Sequence, residues 1–314
     1  MERTGIVIVT YNSENEIGAC LDSCLAMTDA EIVVVDNASS DGTLAEVRRR
    51  PAVRFIANPE NRGFAAAVNQ GCAACAARAI LLLNPDTVLL TPIDELEAAC
   101  QHEDIGAASG MLVDQGGRPQ AGFAVRRLPT PAALAFEVLG VNRLFPRNPV
   151  NRRYRALDAD LHAPADVEQP AGAFLMLRRD LWRMLGGLDE SFHPIWFEDV
   201  DLCRRIRDKG FRIKYVPTVK ARHAGGASAS RIGWERRQIY WYASLLRYAS
   251  KHFRPSARRM IRVSIMLASV PRALLGVLFE RSLRPIAVCW KIWRLAAPVR
   301  AVRHSAQGAG ASVG

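Results

Sequence analysis

The sequence predicts an α/β chain: a mostly parallel central sheet with helices on both faces, followed by a basic helical tail. Three observations predict it. Short unbroken Val/Ile/Leu runs recur through the first hundred residues, and segments with apolar residues at helical spacing separate them. Runs that are apolar at every position belong to strands buried on both faces, as in parallel sheets covered by helices. The third observation is charge. Residues 231–303 hold sixteen Lys and Arg against Glu235 and Glu280, a net +14 in a chain of +11, which leaves −3 for residues 1–230.

The elements follow in order. Ile6–Thr10 is the first strand and ends in Tyr11-Asn12-Ser13; Glu14–Leu25 carries Ile17, Leu21 and Leu25 at helical spacing. Glu31–Asp36 is a strand closing on an acid. Thr43–Arg50 reads as a helix, Val53–Ala57 as a strand, Phe64–Ala77 as a helix and Ala79–Leu83 as a fourth strand ended by Asn84-Pro85-Asp86. Ligands of such sheets bind beyond the carboxyl ends of the strands. Thr10-Tyr11-Asn12, Asp36-Asn37 and Asp86 all fall there. Past Gly106 the pattern loosens. Gly116-Gly117 predicts a hairpin between 111–114 and 120–125, and the Pro-, Arg- and Asn-rich residues 127–168 read as a long excursion, a lid or acceptor loop. Order returns with a strand at 172–177, helices at 179–185 and 202–209, and a strand at 211–216. Residues 233–300 are mostly helical, and 304–314 read as a disordered end.

With 314 residues, 49% of them apolar and 23% charged, the composition excludes a disordered chain. The N-terminal apolar run is too short for a signal peptide. Seven scattered cysteines, with Cys72-x-x-Cys75 the one close pair, read as buried thiols of a reducing compartment.

Several residues point to chemistry, and each has a plainer alternative. Asp36, at a strand end, suits a ribose hydroxyl or a base N–H, or with Asn37 it merely caps a turn. A dinucleotide fold would need Gly-x-Gly-x-x-Gly where this chain has Tyr11-Asn12-Ser13-Glu14-Asn15-Glu16. Arg62, before a helix that holds Asn69, suits a phosphate, or belongs to a surface loop. Asp86 beside an incoming diphosphate suits a hard divalent cation, with His223 as a second ligand or as a structural histidine. The heptapeptide Trp196-Phe197-Glu198-Asp199-Val200-Asp201-Leu202 crowds three acids against aromatics at a helix start. Asp201 is placed to pair with Arg205 at i,i+4, while Asp199 is the better residue to take a proton.

Taken together, these residues resemble a family 2 inverting glycosyltransferase of the bacterial rhamnosyltransferase-like branch. The resembling pieces run in order over about residues 5–230. They are Val9-Thr10-Tyr11-Asn12, Asp36 to Thr43, Asn61-Arg62-Gly63-Phe64 with Asn69, Leu83-Asn84-Pro85-Asp86, Gly172-Ala173, Gly186 to Glu190, Glu198 to Leu202, and His223 with Gly225-Gly226-Ala227-Ser228. The resemblance implies a glycosyltransferase A-type fold, a nucleotide-diphosphate sugar and Mg2+ or Mn2+. Donor-binding residues would be Thr10, Tyr11, Asn12, Asp36, Asn37, Arg62, Asn69 and Asp86. Metal ligands would be Asp86 and His223, acceptor-binding residues Trp196 and Glu198, and the general base Asp199. Many relatives carry Asp-x-Asp where this chain has Asn84-Pro85-Asp86, which leaves a single carboxylate and more for His223 to do.

The implied activity is transfer of a sugar, first L-rhamnose from dTDP-rhamnose, to a glycan or polyprenyl-diphosphate-linked acceptor in cell-envelope polysaccharide synthesis. UDP-galactofuranose or a UDP-N-acetylhexosamine are the alternative donors. Residues 1–230 would be the catalytic domain, with a nucleotide-sugar half to about 110 and an acceptor half to 230. Residues 231–303 read as basic amphipathic helices on an anionic membrane surface, placing the enzyme in the cytoplasm on the inner face of the plasma membrane. Arg262, Pro271 and Arg272 interrupt Ile261–Phe279 and argue against a spanning helix. A helical subdomain or an oligomer contact is the plainer reading of the tail. A non-catalytic glycan- or nucleic-acid-binding protein is the rival class, and the confinement of basic charge to the tail argues against nucleic acid.

Overall fold

The computed structural model describes residues 4–225 and 231–297; motif residues Gly226 to Ser228 and the terminal stretch 304–314 lie outside them. The elements are β1 (Thr4–Thr10), α1 (Ile17–Met27), β2 (Glu31–Asp36), α2 (Thr43–Arg48), β3 (Arg54–Ala57), α3 (Phe64–Ala74), β4 (Ala79–Leu83), β5 (Thr87–Leu89), α4 (Asp94–Cys100) and β6 (Ile105–Val113). The middle of the chain forms β7 (Val125–Arg126), α5 (Pro131–Val138), α6 (Val141–Leu144), α7 (Pro149–Tyr154), β8 (Ala165–Val167), β9 (Gln169–Pro170) and β10 (Phe174–Arg178). It ends with α8 (Arg179–Leu185), α9 (Glu198–Asp208), β11 (Arg212–His223), α10 (Trp234–His252), α11 (Pro255–Glu280) and α12 (Arg284–Ala296).

The large sheet runs β3-β2-β1-β4-β10-β6-β11-β5, with β8 paired to β11. β3, β2, β1 and β4 are parallel, as are β6 and β11; β10 enters antiparallel between β4 and β6. The unbroken apolar runs have a direct cause. Alternate side chains of a strand point to opposite faces, and here both faces are covered. Ile6, Ile8, Ile32, Val34 and Leu81 enter one core cluster, while Val7, Val9, Val33, Val35, Ile80 and Leu82 enter the other.

Boundaries shift where side chains or prolines intervene. The first helix begins at Ile17 because the Ser13 carbonyl first accepts the Glu16 and Ile17 N–H groups. The third ends at Ala74, since Cys75 is already extended toward β4. The excursion at 127–168 contains three short helices. Two of them start on Thr130-Pro131 and Asn148-Pro149, where the Thr and Asn side chains accept the N3 N–H and proline fills N1. The last strand does not stop at Val216. A register shift between Val216 and Lys220, around Pro217, lets it resume and reach His223.

A third core cluster joins the C-terminal helices to the body. Tyr242, Leu245 and Tyr248 of α10, Ile261 and Ile265 of α11 and Ile292 of α12 pack with Phe192, Phe197 and Val200.

Candidate active site

The ends of β1 and β2 build one wall. Thr10 and Asp36 are register partners, and Thr10 Oγ1 donates to Asp36 Oδ1 at 2.8 Å. Asp36 also accepts from the Ser39 N–H (3.0 Å) and hydroxyl. Asn12 closes the loop, its Oδ1 taking the Ser40 N–H at 2.8 Å. Asn37 is equally committed: it accepts from the Arg62 N–H (3.0 Å) and donates to Asn61 Oδ1 (2.9 Å). Tyr11 is half-buried beside them and Arg62 is exposed. Asn69 sits elsewhere. Its amide exchanges hydrogen bonds with the Leu188 backbone in both directions at 2.9 Å, and a Cβ on Gly187 would meet Asn69 Oδ1 at 2.4 Å. It latches α3 to the Gly186–Glu190 loop instead of lining the cleft.

Farther along the same sheet edge, past β4, a cleft of about 430 Å3 is lined among others by Asp86, His223, Trp196, Glu198 and Asp199; Thr10, Asp36 and Asn37 are not among its lining residues. That volume is in the range of small-ligand sites, about 300–1,000 Å3. Asp86 follows β4, and the pairing of His223 with Thr87 brings the imidazole alongside, with Nε2 3.4 Å from Asp86 Oδ1. Gln120 sets the ring: its Nε2 donates to the His223 carbonyl at 2.8 Å, so its Oε1, 3.1 Å from His223 Nδ1, accepts the ring N–H. Nε2 is buried and has no hydrogen-bond partner among the described residues. An imidazole nitrogen and a carboxylate facing each other in a buried place are a donor set that suits a cation, with the donor's phosphates and water completing the shell. No cluster of three His, Cys, Asp or Glu that could hold a metal ion occurs among the described residues.

Opposite lies the start of α9. Asp199 is held on both oxygens: Oδ2 accepts the Gly172 N–H at 3.1 Å and Oδ1 the Val200 N–H at 2.8 Å. Gly172 is required there, since a Cβ would come within 2.9 Å of Asp199 Cβ. Glu198 is buried, its Oε2 unpartnered among the described residues, and burial together with the Asp199 charge pushes its carboxyl well up. The protonated form of Glu198 is thereby favoured next to a carboxylate that accepts two backbone N–H groups.

Asp201 has the structural role expected, and more. Its carboxylate is fully buried and meets Arg205 Nε at 2.7 Å, but also Lys251 Nζ at 2.8 Å and His252 Nε2 at 2.7 Å from the end of α10. Burial alone would raise its carboxyl; His252, Lys251 and Arg205 outweigh that and hold it below the ordinary range. Lys251 also pairs with Asp189 at 2.6 Å, which sits at about 2 for that reason. Trp196 and Phe197 adopt φ of +80° and +71°, a region unfavourable to bulky residues. Surrounding contacts hold them there. Phe197 packs on Trp241 and Tyr248, Ser244 donates to the Ile195 carbonyl at 3.0 Å, and the Phe64 N–H donates to the Pro194 carbonyl at 2.8 Å.

Several lining residues carry no local sequence signature. Phe123 stacks on His223 at 5.0 Å, and Arg126 lies over the Phe123 and Tyr154 rings. Gln120, Lys251 and His252 belong to the same class; only tertiary packing gives them a role.

Residues 5–117 match the family model described as glycosyl transferase family 2. The chain carries a family 2 glycosyltransferase domain. A relative from Mycobacterium tuberculosis, named N-acetylglucosaminyl-diphospho-decaprenol L-rhamnosyltransferase, is 28% identical to this glycosyltransferase over 284 residues, 84% of this chain and 91% of its own. The rhamnosyltransferase WbbL of Escherichia coli (strain K12) is 24% identical over 192 residues, 59% of this chain and 66% of its own. A solved structure of a mannosyltransferase from Pyrobaculum calidifontis, in complex with GDP-Man and Mn2+, covers 94% of this chain and 85% of its own, with TM-score 0.51 at 18% identity. That likeness is one of fold. The glycosyltransferase has the A-type architecture that its strand order and cleft position describe.

Proposed function

We propose that the enzyme transfers L-rhamnose from dTDP-rhamnose to a hydroxyl of a polyprenyl-diphosphate-linked glycan, with inversion, during cell-envelope polysaccharide synthesis. The observation that carries the mechanism is the pair of N–H groups fixing Asp199 at the cleft beside the buried Glu198. Asp199 takes the proton of the acceptor hydroxyl, whose oxygen attacks C1 from the face opposite the departing nucleotide. Glu198 donates its O–H to an acceptor oxygen, and Trp196 offers an apolar face to the acceptor ring. Thr10, Tyr11, Asn12, Asp36, Asn37 and Arg62 hold the nucleotide at the strand ends. Mg2+ or Mn2+, held by Asp86 and His223, would offset the negative charge of the leaving diphosphate.

The transferred sugar and the acceptor follow the name of the Mycobacterium tuberculosis relative, which matches along most of both chains. A lipid-linked acceptor accords with a cytoplasmic enzyme held peripherally on the inner face of the plasma membrane. The test is release of nucleoside diphosphate from dTDP-rhamnose, UDP-galactofuranose and UDP-N-acetylhexosamines with Mg2+ or Mn2+ and a polyprenyl-diphosphate N-acetylglucosamine acceptor. Turnover with dTDP-rhamnose alone and an inverted anomeric centre in the product are expected. Turnover only with a UDP-sugar would replace the donor, and retention at C1 would remove Asp199 from its role.

A further inference from the structure

The helical hairpin α11–α12 presents a surface that the catalytic reading does not use. On α11, Met260, Val263, Leu267, Val270, Leu274 and Leu278 are exposed at 41–70%. Their spacing of three and four residues puts them on a single stripe, about 27 Å long at 1.5 Å per residue. Leu275 and Phe279 widen it toward the C-terminal end, at 52% and 81% exposure. On α12, Ile286, Trp290 and Trp293 repeat the spacing, and the two indoles stack at 5.5 Å. Both helices send their opposite faces into one core cluster: Ile261, Ile265 and Ala268 from α11, Val288, Ile292 and Ala296 from α12. The two stripes therefore point away from the body. Between residues 254 and 297 the sequence has nine Lys and Arg and a single acid, Glu280. Arg259, Arg281, Arg284 and Arg294 are exposed.

We propose that α11 and α12 form a docking face that lies in the plane of an anionic bilayer, with the leucine stripe and the Trp290/Trp293 pair sunk into the headgroup boundary. An apolar stripe flanked by arginine and bearing tryptophan matches that boundary, where apolar chains and anionic headgroups lie within one side chain's length. A second copy of this chain fits poorly, because two-fold pairing would press the same arginines against themselves. Crossing the bilayer is also excluded as the native pose. The helix Pro255–Phe279 is long and apolar enough to span. Halfway along it, however, Arg272 donates to the Val138 carbonyl and lies over the Tyr242 ring, while Ile261 and Ile265 are completely buried in the body. Inserting the helix would strip all of these contacts away.

This inference deepens the membrane-facing part of the proposed function, but its evidence is independent of the donor and the base. The test is flotation of the full chain with phosphatidylglycerol vesicles, with phosphatidylcholine vesicles as control, and alkaline carbonate extraction of membranes from expressing cells. Binding to the anionic vesicles and complete release by carbonate are expected. L267D/L274D/L278D should lower vesicle partitioning at least tenfold, and R281E/R284E should abolish the preference for phosphatidylglycerol. Both variants should keep the wild-type circular dichroism and wild-type turnover on a detergent-dispersed acceptor. Equal binding by the triple variant, resistance to carbonate, or a dimer that the triple variant dissociates would overturn the proposal. Vesicle binding without transfer of any sugar would leave it standing and sink the catalytic reading instead.

Discussion

The donor side and the acceptor side of the site are built in opposite ways. The donor wall comes from consecutive β-α-β units, and its polar groups close on neighbours within about thirty residues: Thr10 with Asp36, Asn12 with Ser40, Asn37 with Arg62. The acceptor wall is assembled from segments far apart in the chain, with Gly172, Trp196 to Asp199 and Trp241 meeting around one opening. Its catalytic helix is secured from outside, by Lys251 and His252 on Asp201. The first wall is closed by bonds between neighbouring units, whereas the second also leans on the C-terminal helices. Substitutions on the acceptor wall should therefore act at a distance, and those on the donor wall locally.

The largest expected effect is on the acceptor wall. Asp199→Asn should lower kcat by about 10^2–10^4, the range a positioned proton acceptor contributes, with nucleotide-sugar affinity unchanged in calorimetry. Normal turnover would remove the distinction between the walls at its chemical centre. Next comes Asp201→Ala, which leaves Arg205, Lys251 and His252 without their shared carboxylate and should cost about 1–3 kcal/mol in denaturant unfolding. Because the Asp201 carboxyl lies below its ordinary value near 3.8, its contribution is present above that pH and lost as the pH falls through the folded value. The variant should show a flatter acid limb of stability, and an unchanged limb would mean that the α10 clamp is ornamental.

Gln120→Leu probes the place where the walls meet. It frees the His223 tautomer and should raise the Mn2+ concentration for half-maximal activity about 10–100-fold. No change in metal response would take His223 out of the cation site. Glu198→Gln should have the smallest effect, seen in thermal unfolding across pH. The unfolded carboxyl ionises near 4.5 while the folded one stays protonated, so native stability falls as the pH rises between the two values. The glutamine chain should lack that fall. A parallel slope in both proteins would mean that Glu198 is ionised in the fold.

How much of this was legible in the sequence follows the same division. The donor wall was readable because strands buried on both faces announce themselves, and their ends carry Thr10, Asp36 and Asp86 to one edge. Asn69 entered through the resemblance alone, and no local pattern showed that its amide would bond the Leu188 backbone. The reach of β11 to His223 was hidden by Pro217, which ends a strand in one dimension but only bulges it in three. Asp201 with Arg205 was legible as an i,i+4 pair, whereas Lys251 and His252, fifty residues on, leave no periodic trace. The short helices at 131–154 were masked by composition, although their Thr-Pro and Asn-Pro starts are the features that cap them.

The burial of Phe197 among Tyr248, Ile261 and Ile292 has a practical consequence for anyone who would shorten or graft this chain. Cutting at residue 254 to obtain a lipid-free version leaves Trp241 and Tyr248 against Phe197 but takes Ile261, Ile265 and Ile292 out of the cluster they share. Exchanging C-terminal helices with a relative imports a foreign floor unless its partners for Asp201 and Phe197 travel with it. Among the described residues, Phe192, Phe197 and Val200 share one core cluster with the C-terminal helices, so the segment that reads in the sequence as an appendage packs against the acceptor side.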